Sequence, residues 1–148
     1  MRSVAVIEPG RIEVVDVPKP VPGPYEALVR NQPDEAASQA KALRERRPDS
    51  PYADQAELAL ARAALERRDL DDAAGLLRGV AERSKDAELR EMTRIRLARV
   101  LIEQGKHDEA LASLDASTAG AFAPLVQEVR GDAYAAKGDS AAALKEYV

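Results

Sequence analysis

Cysteine is absent from the chain, so disulfides and thiolate metal sites are excluded, although this absence does not choose between cytoplasm and periplasm. Tryptophan is also absent and Phe122 is the single phenylalanine, so the core must be built from Ala, Leu, Val and Ile, which suit packed helices. No apolar run of about 18 residues and no export-signal pattern occurs. We therefore expect that the chain as given has no membrane span and is soluble. The cytoplasm is then one of the locations that fit it.

Charge is abundant but of mixed sign. The 22 Lys and Arg residues are outnumbered by 26 Asp and Glu residues, which leaves a net charge of -4. Nucleic-acid binding relies on clustered basic side chains that displace counterions from phosphates. The balance of charge therefore argues against a nucleic-acid partner.

The first 30 residues differ in pattern from the rest. Residues 4–8, 12–17 and 25–30 are short and rich in Val and Ile, and Pro9-Gly10 and the run PKPVPGP separate them. Such segments predict three strands. The four prolines between residues 18 and 24 favour extended backbone, so no helix is expected to cross this region.

From Pro33 onward, apolar residues recur at spacings of three and four, which predicts helices. Four segments of this part resemble one another when Ala36, Ala73, Ala110 and Ala143 are aligned, at spacings of 37, 37 and 33 residues. This period is close to the roughly 34 residues of helix-turn-helix repeats. The sequence predicts a short solenoid of such repeats.

Each period also holds a longer helix before the aligned one. In the third unit, Leu97, Ala98 and Leu101 share one face, and Ala110 and Leu114 lie on the returning segment. In the second unit, the same scheme is filled by Leu60, Ala61, Ala73 and Leu77. We predict two complete hairpins between two incomplete units. The fold class is thus mainly α, with antiparallel helix hairpins and a small N-terminal β segment, divided into residues 1–30 and 31–148.

Three stretches of the helical part are specific enough to compare with a known family: ADQAELALARAALERRDLDDAAGLLRGV, ELREMTRIRLARVLIEQGKHDEALASLD and FAPLVQEVRGDAYAAKGDSAAALKEY. Over roughly residues 33 to 148, the chain resembles the tetratricopeptide domain of the YfgM-like family, the ancillary subunit of the bacterial SecYEG translocon. The resemblance implies a non-enzymatic scaffold at the periplasmic face of the inner membrane. The implied partners are proteins or peptides, namely the SecYEG translocon and periplasmic chaperones.

Residues 1–30, MRSVAVIEPGRIEVVDVPKPVPGPYEALVR, resemble the start of medium-chain zinc-type alcohol dehydrogenases. In that family the segment supplies the first strands of a barrel-like domain. No cysteine and no GxGxxG motif follows here, so the chain lacks the residues that would bind zinc and the nucleotide in that family. We expect no cofactor and interpret the segment as a fragment joined to the repeats, natural or artificial. An oxidoreductase fragment named for this segment is the alternative function.

Single residues that could suggest chemistry have simpler explanations. The lone histidine, His107, stands in the turn GKHDEA and is expected to face water rather than a metal. Asp71, Asp72, Asp108 and Glu109 are interpreted as acids that cap helix starts. The basic runs Arg44, Arg46, Arg47, Arg67 and Arg68 are interpreted as a solvated surface, and Tyr52, Tyr134 and Tyr147 as packing residues.

A partner surface follows from the repeat architecture. Stacked hairpins curve, and the longer helices line the inner side. Helical spacing places eight side chains on the face next to the packing face: Gln55, Arg62, Glu66, Arg99, Ile102, Glu103, Glu128 and Asp132. We predict a groove there for a peptide or protein. The incomplete units at both ends leave apolar faces open, which makes self-association a further expectation.

Overall fold

A computed structural model describes residues 2–8, 11–16, 23–24, 32–115 and 119–148. At the N-terminus, strands β1 (Arg2–Glu8) and β2 (Arg11–Asp16) form an antiparallel hairpin with Val4 opposite Val14, and the register is irregular between Val6 and Glu8. These strands occupy the positions of the first two predicted ones. The third predicted strand, 25–30, lies outside the described residues.

Seven α-helices make up most of the described chain. They are α1 (Pro33–Arg46), α2 (Pro51–Glu66), α3 (Leu70–Arg83), α4 (Ala87–Glu103), α5 (His107–Ala112), α6 (Ala123–Lys137) and α7 (Ser140–Tyr147), with a short 3-10 turn at Gly120–Phe122. The prediction that the region after Pro33 is helical is confirmed.

Side-chain caps explain where several helices begin. The Ser50 hydroxyl accepts a hydrogen bond from the Tyr52 amide, and the Asp139 carboxylate accepts one from the Ala142 amide. At the start of α3, the cap is Asp69, which accepts from the Asp72 amide at 3.1 Å. Asp71 and Asp72 therefore lie in the first turn, where acids favour the helix dipole, rather than at the cap itself.

Short connections pair α2 with α3, α4 with α5, and α6 with α7, while α1 packs on α2. All four aligned alanines are buried: Ala36, Ala73 and Ala110 are 0% exposed and Ala143 is 4% exposed. The predicted repeat is confirmed. Within the described residues, the number of complete hairpins is corrected from two to three, because α7, at eight residues, packs on α6.

The core runs along the helix seams. One cluster centres on α4, whose Leu97, Ala98 and Leu101 pack with residues of α3, α5 and α6. A second cluster joins α1 to α2 through Ala36, Ala40, Ala56 and Leu60. Small side chains at the seams let the helices approach closely, and the leucines fill the space between them. Leu97, Ala98, Leu101 and Leu60 were predicted as packing residues, whereas Ala40 and Ala56 were not singled out.

Arg44 corrects the interpretation of the basic runs as a solvated surface. Its side chain is only 12% exposed, and its guanidinium donates to Asp54 at 2.6 Å and to both carboxylate oxygens of Glu57. Burial lowers the pKa of Arg44, but the hydrogen bonds to Glu57 and Asp54 outweigh it and leave that pKa raised. The remaining arginines of these runs are exposed: Arg46, Arg47, Arg67 and Arg68.

Candidate functional site

A cleft of about 880 Å³ lies between α2 and α4, with α3 below it. Its apolar surface comes from Leu58, Leu65, Leu77 and Val100 and from the alanines Ala59, Ala61 and Ala63. Five charged side chains complete the lining: Arg62, Glu66, Arg96, Arg99 and Glu103. An apolar floor with a charged rim is the usual make-up of a surface that binds another molecule.

The sequence of α2 explains why this space stays open. Along the α2 wall, small residues alternate with the larger Leu58 and Leu65, and Ala59 and Ala63 are too short to reach α4. On its other side, α4 packs directly on α6, so its apolar residues there are covered. Leu77 and Val100 are buried at the base of the cleft, at 2% and 5% exposure, and give it a rigid floor.

The rim charges fall into two groups. Arg62 pairs with Glu66 at 3.2 Å, and Glu103 pairs with Arg68 at 3.1 Å. In contrast, Arg96 and Arg99 are exposed and make no ion pair or hydrogen bond with any other residue that the structure describes. Exposed ion pairs stabilise by about 0–1 kcal/mol, so the paired side chains can also rearrange at little cost.

Four of the eight predicted groove residues line the cleft: Arg62, Glu66, Arg99 and Glu103. Gln55 and Glu128 are exposed elsewhere on α2 and α6. Asp132 accepts a hydrogen bond from the Tyr147 hydroxyl at 2.7 Å. Ile102, which was placed on the binding face, is half-buried and packs against the core, because that side of α4 meets its neighbours.

Several lining residues were not predicted from the sequence. Leu58, Leu65 and Val100 look like ordinary core positions, since apolar residues at helical spacing usually pack inside. Arg96 could have been predicted from the sequence, because it precedes Arg99 by three residues and therefore shares its helix face. Only the separation of α2 from α4 shows that these residues border a common space.

Among the described residues, the other side chains that could suggest catalysis or metal binding do not form a site. His107 begins α5 and is half-buried, which corrects the expectation that it faces water, and its Nδ1 has no partner among the described residues. Asp108 pairs with Lys137, and Glu109 pairs with Arg78. In the described ranges, no three metal-ligating side chains come together. Nor is any described helix long and apolar enough to cross a membrane.

The three tyrosines that were predicted to pack have different environments. Tyr52, in the first turn of α2, is 73% exposed, which corrects the prediction that it packs. Tyr134 is half-buried. Tyr147 lies over Gly131, and its hydrogen bond to Asp132 raises the pKa of the phenol. That contact holds the last helix against α6.

Three comparisons relate the chain to known proteins. Among solved structures, the crystal structure of MamA is similar with 16% identity over 84% of this chain and 90% of that chain, but the TM-score is only 0.33. No curated protein matches the chain. The model of the tetratricopeptide repeat-like domain family matches residues 24–148. Together with the buried alanine seams of the three helix hairpins, this match shows that the chain belongs to the tetratricopeptide repeat-like domain family.

Proposed function

We propose that the cleft between α2 and α4 binds a segment of another protein. Tetratricopeptide-type folds are typically non-enzymatic and serve as protein-binding scaffolds, and a scaffold of this kind fits the present chain. The observation that carries the proposal is the cleft itself, whose α2 wall leaves Leu58 and Leu65 only half-buried beside Arg96 and Arg99, which make no ion pair or hydrogen bond with any other described residue. Burying the exposed parts of the two leucines against a partner is favourable.

The native role that we propose is more specific. The resemblance of residues 33–148 to the YfgM-like family supports a helper of the SecYEG translocon that receives or hands on emerging polypeptides. The proposed location is then the periplasmic face of the inner membrane, with periplasmic chaperones as further partners. The mixed rim charge and shallow apolar floor suit a polypeptide better than a small rigid ligand.

Site-specific crosslinking tests both statements. In intact cells, photoreactive benzoylphenylalanine replaces Arg62 at the cleft in one variant and Glu128, an exposed residue of α6 outside it, in the control. We expect protein adducts from position 62 and few from position 128. Equal labelling at the two positions, or none at 62, would contradict binding in the cleft. Adducts with proteins unrelated to translocation would contradict the translocon role alone.

The competing interpretation is a dehydrogenase fragment, based on residues 1–30. It predicts bound zinc or saturable binding of NAD(P). We expect the purified protein to contain zinc well below one atom per chain and to give no saturable nucleotide titration. Stoichiometric zinc would overturn the scaffold proposal in favour of the enzyme.

A further inference from the structure

We infer that the segment bound in the cleft is an acidic amphipathic one, with Leu-like side chains against Leu58 and Leu65 of the α2 wall and an Asp or Glu beside Arg96 and Arg99. This inference rests on the proposed function, since it names the chemistry of the partner at the same site. On the rim, Glu66 and Glu103 already pair with arginines of this chain, whereas Arg96 and Arg99 pair with no described residue.

The apolar part of the partner is determined by the α2 wall of the cleft, where Leu58 and Leu65 are half-buried. Leu77 and Val100 lie at the base and are already buried, so a partner adds little contact there. Leu58 and Leu65 are seven residues apart on α2, which corresponds to two helical turns, so the wall is a stripe rather than a point. A partner covers such a stripe with several apolar side chains at regular spacing.

The charged part of the partner is determined by Arg96 and Arg99, the two cleft arginines that make no ion pair or hydrogen bond with another described residue. Arg96 and Arg99 are three residues apart and lie on one face of α4, so their guanidinium groups can converge on one carboxylate. Arg62 and Arg68 already pair with Glu66 and Glu103. Arginine binds carboxylates through two parallel hydrogen bonds, which makes an acidic side chain the complementary group.

The carboxylates of the rim set the direction of the bound segment. Glu66 and Glu103 end α2 and α4 and occupy equivalent repeat positions, 37 residues apart. The negative ends of both helix dipoles lie there too, so a second carboxylate is disfavoured at that end of the cleft. The acidic residue of the partner therefore lies toward Arg96 and Arg99, and its other end is neutral or basic. Phosphate-rich nucleic acid does not fit this rim or the net charge of -4.

Two labelled synthetic peptides of about 12 residues test the inference with the full chain by fluorescence anisotropy. They share the same leucine and alanine positions at helical spacing and differ only in the flanking residues, which are Glu in one and Lys in the other. We expect the Glu peptide to bind about fivefold more tightly, with a difference that shrinks as salt is added.

The double variant Arg96→Glu and Arg99→Glu should invert this preference. The matched control is Lys41→Glu with Lys145→Glu, which changes the net charge equally at two exposed positions outside the cleft, and it should keep the preference. Circular dichroism and the thermal midpoint confirm that both variants are folded. A preference unchanged by the cleft variant, or shifted equally by the control, would overturn the inference.

One more variant separates this inference from the proposed function. Ala59→Trp fills the cleft and should abolish binding of both peptides. If both peptides bind equally and Ala59→Trp abolishes both, the cleft binds a polypeptide but the acidic chemistry is wrong. If neither peptide binds, or if a single-stranded DNA oligonucleotide competes better than the Glu peptide, the inference is also wrong. The crosslinking result then decides the proposed function independently.

Discussion

Arg44 of α1 places its Nη2 atom 2.6 Å from Oδ1 of Asp54 on α2, and both side chains are nearly buried. Glu57 receives hydrogen bonds from Arg44 and also from Arg83 of α3 at 3.0 Å. Arg44 also donates to the carbonyl of Pro48 in the connection that follows α1. These contacts join three consecutive helices through one set of charges.

Replacing Arg44 with Met should destabilise the protein by about 3 kcal/mol, because it leaves Asp54 buried without its cation. Urea unfolding followed by circular dichroism measures this loss. Arg46→Met is the matched control on the same helix, since Arg46 is exposed, and it should change the free energy of unfolding by less than about 0.5 kcal/mol. Equal effects of the two substitutions would show that the buried cluster contributes little.

Gly131 and Gly75 should respond in opposite ways to substitution by alanine. A Cβ atom on Gly131 would overlap the ring of Tyr147, whereas one on Gly75 would meet nothing within 4 Å. We expect Gly75→Ala to stabilise the protein by about 1 kcal/mol through helix propensity. Gly131→Ala should destabilise it by about 1 kcal/mol, because the ring and α7 must move.

The cause of the Gly131 effect can be checked in a second background. In a Tyr147→Ala chain the steric conflict is absent, so Gly131→Ala should become stabilising, as Gly75→Ala is. Thermal unfolding of the four combinations gives the coupling. A Gly131→Ala effect that is the same in both backgrounds would mean that Tyr147 does not determine the close approach of α7.

Ala110→Leu should cost about 1 to 3 kcal/mol, because Ala110 is fully buried where α5 packs on its neighbours and a larger side chain overpacks the crossing. Ala112→Leu adds the same side chain at an exposed position of the same helix and serves as the control. Chemical unfolding should separate the two variants clearly. If they were equally stable, the α5 seam would be looser than its burial indicates.

The folded protein should lose stability at alkaline pH because of Tyr147. Its pKa is raised by the hydrogen bond to Asp132, so the folded chain favours the protonated phenol. The resulting stabilisation is complete below the unfolded tyrosine pKa of about 10 and is lost as pH rises through the higher folded value.

Comparison with Tyr147→Phe isolates this contribution. The ion pair of Lys137 with Asp108, which also raises the pKa of its cation, is present in both proteins and cancels. The stability advantage of the natural chain over Tyr147→Phe should hold at neutral pH, begin to fall near pH 10 and disappear as pH rises through the higher folded pKa. An advantage that does not change with pH would contradict the role of the hydrogen bond.

The division of the chain into residues 1–30 and 31–148 stays a proposal. A two-stranded hairpin alone is marginally stable in water, so β1 and β2 are expected to add little to the stability of the repeats. Because the family match begins at residue 24, deleting residues 1–23 is the cleanest test. The thermal midpoint should change little. A large fall would show that the first residues pack on the helices.

The helices and their buried seams could be predicted because the signal is local. Alanines at a regular period, leucines at spacings of three and four, and capping residues before each helix all act within one or two turns. The same reasoning placed Arg62, Glu66, Arg99 and Glu103 on one side of the longer helices. It missed Leu58 and Val100, because apolar residues at core spacing look alike whether or not a neighbouring helix covers them.

The sequence by itself determined that this chain forms repeated helix pairs with alanine-lined seams, since the apolar residues of each segment recur at helical spacing. Only the tertiary structure decided that Arg44 is buried against Asp54 and Glu57, which lie 10 and 13 residues further along the chain on another helix. It also decided that α2 and α4 stand apart and leave a cleft beside Arg96 and Arg99. Both outcomes depend on the angles and distances between helices, which arise from the packing of many side chains together.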